Sequence, residues 1–177
     1  MKITILAGSN RKHSTSTQLC HYIQSVLESN DCTVALLDLN ELPVPFFSPD
    51  VESDDANLQY MKNQLKEADG IVLATPEYHG APSGVLKNAL DHVGFDQFDG
   101  KVVLSVCSTG GAVGVSSLQQ LQTIVRNVHG INCPEWISIG GEQRLFSPEG
   151  EPTNLKTKER VHRTLQYFVQ MVSTFRK

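Results

Sequence analysis

The chain has 177 residues, enough for one domain with a substantial core. Hydrophobic residues make up 40% and charged residues 19%, a composition typical of globular and not of disordered proteins. The formal net charge of -4 argues against a nucleic-acid binder, which normally presents a basic face.

No apolar run approaches the roughly 18 residues that cross a bilayer, and the segment before the first polar loop is too short for a signal peptide. The four cysteines (Cys20, Cys32, Cys107 and Cys133) form no C-x-x-C motif, which argues against a zinc or thioredoxin-type site. Cys107 lies in an apolar run and is expected to be a small core residue. We therefore expect a protein without a metal site in the reducing environment of the cytoplasm.

Short apolar runs alternate along the chain with amphipathic segments. The predicted strands are residues 2–7, 33–39, 70–75, 101–107 and 134–140. Helical periodicity of apolar residues starts after each of them, at Leu19, Leu58, Val85, Leu118 and Val161. This alternation predicts a single α/β domain over residues 1–177, with a five-stranded parallel sheet and helices on both faces.

Two stretches lack any periodicity. Residues 43–57 are expected to form a surface loop, with a lid or an interface arm as alternatives, and residues 141–153 form a second irregular segment. In open parallel sheets, ligands bind beyond the carboxyl ends of the strands. Segments 8–16, 75–84 and 108–115 are therefore the predicted site loops.

The first of these loops, GSNRKHSTSTQL, is rich in hydroxyl groups. Thr15 and Gln18 match the capping-box pattern, which predicts the start of a helix. A helix N-terminus with free backbone N–H groups, together with Arg11, favours a phosphate, although an ordinary capped surface helix is the alternative. The loop contains no G-x-G-x-x-G, no G-x-x-x-x-G-K-[ST] and no cysteine, so a phosphate held without a nucleophile is predicted here.

The second and third loops are suited to a flat ligand. Gly80 and Gly84 allow close approach of the backbone, and Ser83 is predicted to cap the following helix. In the third loop, Gly110 and Gly111 have the same freedom. The alternatives are a packing turn and a plain glycine-rich turn before a helix.

The first two loops together resemble the NADPH-dependent FMN reductase family, which has the flavodoxin-like fold. The family patterns are similar to G-S-x-R-x-x-S and P-E-Y-N-x-S-x-P-G-x-L-K-N-A-I-D, and this chain reads GSNRKHS at 8–14 and PEYHGAPSGVLKNALD at 76–91. His79 replaces the usual asparagine, Ala81 the usual serine and Ser83 the usual proline. Within the family, the likeness is to small azobenzene and quinone reductases.

The resemblance implies a three-layer fold with strand order 2-1-3-4-5 and FMN and NADPH as cofactors, with NADH as a further donor. It also implies a set of cofactor-binding residues: Ser9, Arg11, Ser16, Thr17 and Gln18 at the FMN phosphate, Pro76, Glu77, Tyr78 and His79 beside the ring and ribityl chain, and Ser108, Gly110 and Gly111 at the pyrimidine end. No catalytic side chain is required, because the flavin carries the chemistry. His79 is expected to be either a turn residue or a general acid.

The expected function is an NAD(P)H oxidoreductase that reduces flavin, quinone or azo acceptors by ping-pong hydride transfer. The alternatives are a flavodoxin-like electron carrier, whose usual T-x-T-G-x-T-like loop is missing, and a flavin-free structural protein. The family's third helix packs against a partner subunit, which implies a homodimer or homotetramer. Lys87 and Asp91 are then expected to form an intersubunit salt bridge, with a solvated pair as the alternative.

Overall fold

The computed structural model describes residues 1–176, which form a helix–sheet–helix sandwich. The strands are β1 (Lys2–Ala7), β2 (Thr33–Asp38), β3 (Gly70–Tyr78), β4 (Ala81–Pro82), β5 (Val102–Thr109), β6 (Ile131–Asn132) and β7 (Ile137–Gly140). The helices are α1 (Thr15–Glu28), α2 (Ala56–Glu67), α3 (Gly84–Asp91), α4 (Phe95–Phe98), α5 (Val115–Asn127) and α6 (Leu155–Phe175), with a 3-10 turn at Gly141–Arg144.

The sheet runs in the order β2-β1-β3-β5-β6, with all these neighbours parallel. One core, which includes Ile5, Ile23 and Phe168, lies between the sheet and helices α1 and α6. The other, which includes Met61 and Leu121, lies under α2, α3 and α5. Because both faces are covered, the central strands are almost entirely apolar, as predicted.

The predicted count of five strands is wrong, since the sheet has seven. Ile131–Asn132 and Ile137–Gly140 both pair with β5, so two short strands lie beside it, and only the second falls within the predicted range 134–140. Pro134 lies in the gap between them, where its missing N–H cannot join a ladder. The other strand that was not predicted, β4, folds back antiparallel on the end of β3.

Strand β3 continues past its predicted end at Thr75 to Tyr78. Its pairing with β1 stops at Ala74, while its pairing with β5 continues to Pro76 opposite Ser108. Pro76 is tolerated inside the strand because that side of β3 has lost its neighbour. The extension places residues 76–78 beyond the end of β1, above the first loop.

Part of the irregular segment 43–57 lies against α3 and its C-cap residue His92. Asn88 makes two hydrogen bonds with this segment: its Oδ1 accepts from Phe47 N and its Nδ2 donates to Pro45 O, both at 2.9 Å. His92 Nε2 lies 2.9 Å from the same Pro45 oxygen. The segment is therefore attached to α3 at three points. No helix within residues 1–176 is long and apolar enough to span a membrane.

Candidate functional site

The first loop leaves β1 through a very close backbone contact. Gly8 N donates to Ala74 O at 2.7 Å. A Cβ atom added at Gly8 would lie 2.5 Å from Leu86 Cβ and 2.8 Å from the Ala74 oxygen. Glycine is needed here because the loop packs directly on β3 and α3, and this packing brings the first two predicted loops together.

The start of helix α1 differs from the prediction by one residue. Its N-cap is Ser14, not Thr15, and no side chain caps it. The Ser14 and Ser16 hydroxyls bond each other at 2.8 Å, and Thr15 Oγ1 lies 2.8 Å from Ser108 Oγ. The capping box is therefore wrong, because the Thr15 hydroxyl joins α1 to β5. Gln18 instead donates to His13 O at 3.4 Å.

The first turn of α1 retains several hydrogen-bond donors without partners. The backbone N–H groups of its first three residues have no intrahelical acceptor, as in any α-helix. Thr17 Oγ1 is buried without a hydrogen-bond partner, and Ser9, also buried, accepts a bond from Arg11 N at 3.2 Å. Arg11 is exposed and belongs to none of the four ion pairs formed within residues 1–176. These donors fit a phosphate group.

The second loop is a β-hairpin whose two central residues are His79 and Gly80. Tyr78 pairs with Ala81 across it, and φ is +53° at His79 and +73° at Gly80. Two-residue hairpin turns require such positive values, which asparagine and histidine adopt more readily than most residues. Histidine in the family's asparagine position therefore preserves the backbone conformation of the turn.

The base of the hairpin is fixed by Ser83. Its Oγ accepts from Leu86 N at 3.1 Å and so caps α3, which confirms the prediction. The same hydroxyl donates to Gly8 O, and Ser83 N donates to Thr75 Oγ1 at 2.9 Å. Proline, the usual family residue, has neither this hydroxyl nor an N–H. In this chain, serine joins the first loop, β3 and α3 through three hydrogen bonds.

Glu77 is directed at helix α5. Its carboxylate accepts hydrogen bonds from Thr109 Oγ1 at 3.1 Å and from Ser117 Oγ at 2.9 Å. The negative charge thus lies at the N-terminus of α5, where the helix dipole favours it. Because this carboxylate is already hydrogen-bonded within the protein, it is the backbone of Glu77 that remains available to border a flavin.

The third loop presents bare backbone to solvent. Gly110 and Gly111 are exposed, and a Cβ atom added at Gly110 would meet nothing within 4 Å. On its other side the loop touches β7, since a Cβ atom at Gly140 would lie 2.0 Å from Gly111 O. The Ser108 hydroxyl is already bonded to Thr15. The open backbone of the glycines is therefore the part of this loop available to a ligand.

Cys107 lies directly beneath the third loop and is fully buried, which confirms its expected core position. Burial raises the pKa of its thiol to about 12. Such a thiol stays protonated and unreactive near neutral pH.

One residue of the site was not predicted from the sequence. Arg144 Nε donates to Thr15 Oγ1 at 3.4 Å, across 129 positions of the chain. It comes from the irregular segment 141–153, whose sequence carries no phosphate-binding pattern. The packing of Gly140 against the third loop helps to bring this arginine to α1.

The three loops together define a class of protein: an open α/β sheet whose carboxyl edge is built for a flat, phosphorylated ligand. Comparison with known proteins identifies the family. Residues 1–143 match the model of the NADPH-dependent FMN reductase family. The chain belongs to this family; it is an oxidoreductase with FMN and NADPH as cofactors.

Proteins of similar sequence support this family assignment. The chain is 35% identical over 184 aligned positions to the FMN-dependent NADPH-azoreductase of Staphylococcus saprophyticus, covering 100% of this chain and 96% of the relative. It is 34% identical over 143 positions to the enzyme of the same name from Staphylococcus aureus, covering 78% and 76% of the two chains.

Solved structures show the same fold. The flavoenzyme NAD(P)H:(acceptor) oxidoreductase FerB from Paracoccus denitrificans superposes with a TM-score of 0.84 at 21% identity, covering 99% of both chains. An NADH:FMN oxidoreductase superposes with a TM-score of 0.80 at 19% identity, covering 99% of this chain and 94% of that one. The flavodoxin-like fold is thereby confirmed, with the strand count corrected as above.

Proposed function

We propose that the protein uses NADPH and FMN to reduce small aromatic acceptors of the azo and quinone classes. One observation carries the proposal: a cradle of free donors at α1 meets a hairpin and an open glycine loop at a single sheet edge. Flavin binding needs all three, whereas an ordinary capped helix needs none of them.

The phosphate end of FMN is assigned to the first loop. Ser9, Arg11, Ser16 and Thr17 are the proposed side-chain donors, with the backbone at Thr15–Thr17 completing the cradle. The unpaired hydroxyl of Thr17 supports this assignment, because a buried polar atom without a partner costs free energy unless a ligand satisfies it. Gln18 holds the loop through His13 O and is assigned a supporting role.

The ring end is assigned to the hairpin and the third loop. The backbone at 76–79 and the exposed glycines Gly110 and Gly111 can approach a flat ring closely. Backbone N–H groups here would stabilise negative charge on a reduced ring. Bound FMN supplies the redox chemistry, by accepting hydride from NADPH and passing two electrons to the acceptor.

The rim of the site is apolar, which supports an aromatic acceptor. Tyr78 is 46% exposed on the hairpin, and Val113 and Val115 are 53% and 40% exposed beside the third loop. Exposed apolar side chains around a polar cleft favour a planar, poorly hydrated substrate. The names of the staphylococcal relatives add support for azo compounds.

The proposal is tested with flavin-free protein. FMN is titrated while its fluorescence is followed, and the loaded protein is then mixed anaerobically with NADPH. We expect bleaching of the flavin absorbance by NADPH and its return when an azo dye or a quinone is added. Parallel double-reciprocal plots are expected for the ping-pong order, because one site would serve donor and acceptor in turn.

Two results would replace this proposal. FMN binding without bleaching by NADPH would favour the flavodoxin-like electron carrier. No FMN binding at all would favour the flavin-free alternative.

The assembly and location of the protein are part of the same proposal. We propose that the protein forms a homodimer or homotetramer through α3. We also propose that it resides in the cytoplasm, and the four cysteines, which are all free and buried, support this location. Lys87 Nζ lies 2.5 Å from Asp91 Oδ1 within the same helix, so the intersubunit bridge would require the pair to rearrange or be shared. Size-exclusion chromatography of Lys87→Ala tests it, and an unchanged assembly contradicts the bridge.

A further inference from the structure

The 3-10 turn at Gly141–Arg144 carries a cation to the N-terminus of α1. Arg144 Nε donates to Thr15 Oγ1 at 3.4 Å, and Thr15 is the first residue of the helix. The same threonine hydroxyl is 2.8 Å from Ser108 Oγ. The guanidinium of Arg144 therefore lies beside the free donors of the first turn.

The position of this turn is fixed from two sides. Gly140 packs so closely on the third loop that an added Cβ atom would be 2.0 Å from Gly111 O. From α6, Arg160 Nη2 donates to Ser138 O and, at 3.3 Å, to Gln143 Oε1. Arg144 therefore lies on a turn whose position is fixed by packing and by hydrogen bonds.

Two arginines flank the cradle without an acidic partner. The four ion pairs within residues 1–176 involve neither Arg11 nor Arg144, and in that same part of the chain the Nη groups of Arg144 make no hydrogen bond. Thr17 Oγ1 is buried and unpaired in the same helical turn. A phosphate monoester, with about -1.5 to -2 charges at pH 7, matches two such cations and a free hydroxyl.

We propose that Arg144 is a second phosphate-binding residue, which acts with Arg11 to select FMN over riboflavin. The proposal rests on the function proposed above and extends it to cofactor choice. Arginine suits this role because its planar guanidinium can bond Thr15 with one N–H and phosphate oxygens with the others. Riboflavin, which lacks the phosphate, would gain nothing from it.

The test compares two ligands that differ only in the phosphate. FMN and riboflavin are titrated into flavin-free wild type, Arg144→Ala and Arg144→Lys, with flavin fluorescence as the readout. Arg163→Ala, an exposed arginine on α6, is the matched control. For Arg144→Ala we expect FMN affinity to fall about 10- to 100-fold, as for the loss of a hydrogen bond to a charged group, and riboflavin affinity to stay unchanged.

Arg144→Lys should recover part of the lost FMN affinity, because it keeps the charge but not the fork of donors. Equal weakening of both flavins would overturn the proposal and make Arg144 a structural residue of the turn. Unchanged FMN affinity with a raised KM for NADPH would also overturn it, by assigning the arginine to the nucleotide. Failure of the wild type to bind FMN would contradict the proposed function instead.

Discussion

Polar groups differ between the two ends of the parallel strands, which we call the amino edge and the carboxyl edge of the sheet. At the amino edge, Thr4 Oγ1 donates to Gln64 O at 2.9 Å, Lys2 N donates to Asp69 Oδ2 at 2.7 Å, and Lys101 Nζ donates to two carbonyls at the end of α2. At the carboxyl edge, Thr17 Oγ1 has no partner and Arg11 has no counter-ion within residues 1–176.

This difference indicates that polar groups at the amino edge contribute to stability, whereas those at the carboxyl edge serve ligand binding. The three groups named at the amino edge are satisfied by the protein itself, so their loss should change the free energy of unfolding. Unsatisfied donors at the carboxyl edge cost stability in the free protein and are repaid only by a ligand. Substitutions at the two edges should therefore change different measurements.

The largest expected effect comes from Gly140→Ala, which changes both quantities. The new Cβ would overlap Gly111 O, and relief of that overlap must move the third loop or the turn that holds Arg144. We expect the free energy of unfolding to fall by about 2 kcal/mol or more, and FMN affinity to fall by more than about tenfold. Chemical denaturation and flavin fluorescence measure the two.

The matched control is Gly84→Ala, because an added Cβ there meets nothing within 4 Å. It should leave the free energy of unfolding nearly unchanged. Full stability and full FMN affinity in Gly140→Ala would show that the close contact does not fix the loop.

Thr17→Val tests the carboxyl edge with effects of opposite sign. The substitution removes an unpaired hydroxyl, so the free protein should be unchanged or more stable by about 1 kcal/mol. FMN affinity should fall by about tenfold, because the phosphate loses a donor. Thermal unfolding without flavin and an FMN titration give the two numbers.

Thr164→Val is the control, since Thr164 Oγ1 is likewise buried and unpaired, but in α6. It should show a similar change in stability and none in FMN affinity. Equal FMN affinity in both valine variants would remove Thr17 from the phosphate site.

Lys101→Met tests the amino edge through pH. Burial lowers the pKa of Lys101 to about 8, against about 10.4 for an unfolded lysine. Between these values the unfolded chain binds more protons, so this residue makes the protein more stable as pH rises from about 8 to about 10. The difference in unfolding free energy between wild type and variant should therefore grow over that range.

Buried thiols have the opposite effect above about pH 9: they ionise in the unfolded chain before the folded one, so they lower the stability as pH rises. The difference between wild type and Lys101→Met is therefore the quantity that reports on Lys101. The control is Lys156→Met, at an exposed lysine on α6 that is not among the charges acting on Lys101, and it should keep the wild-type slope. FMN affinity should be unaffected in both. A parallel pH profile for Lys101→Met would show that its amine does not titrate in this window.

The smallest expected effects are at His79, in the hairpin. His79→Asn should change stability by less than about 0.5 kcal/mol, because asparagine also tolerates positive φ. His79→Val should cost about 1 kcal/mol or more, because a β-branched residue is strained there. Denaturation curves of the two variants measure this difference. A large loss of azo or quinone turnover in a stable His79→Asn would instead support the general-acid role.

Features with long periodic patterns could be predicted from the sequence. The apolar runs at 2–7 and 70–75 predicted the central strands, and the hydroxyl-rich loop after β1 predicted the cradle. The hairpin strand β4 and the split into β6 and β7 could not be predicted. Pieces of two residues carry no periodicity, and they form only because a neighbouring strand supplies the ladder.

The sequence by itself determined the alternation of the long strands and helices, the loops that follow β1, β3 and β5, and the motif that identifies the family. Tertiary structure alone decided which polar side chains are already bonded and which remain free. Glu77, Thr15 and Ser108 are bonded by residues far away in the chain, whereas Thr17 stays unpaired. The physical reason is that a hydrogen bond depends on distance and angle between atoms, which a pattern of residues does not contain until the chain is packed.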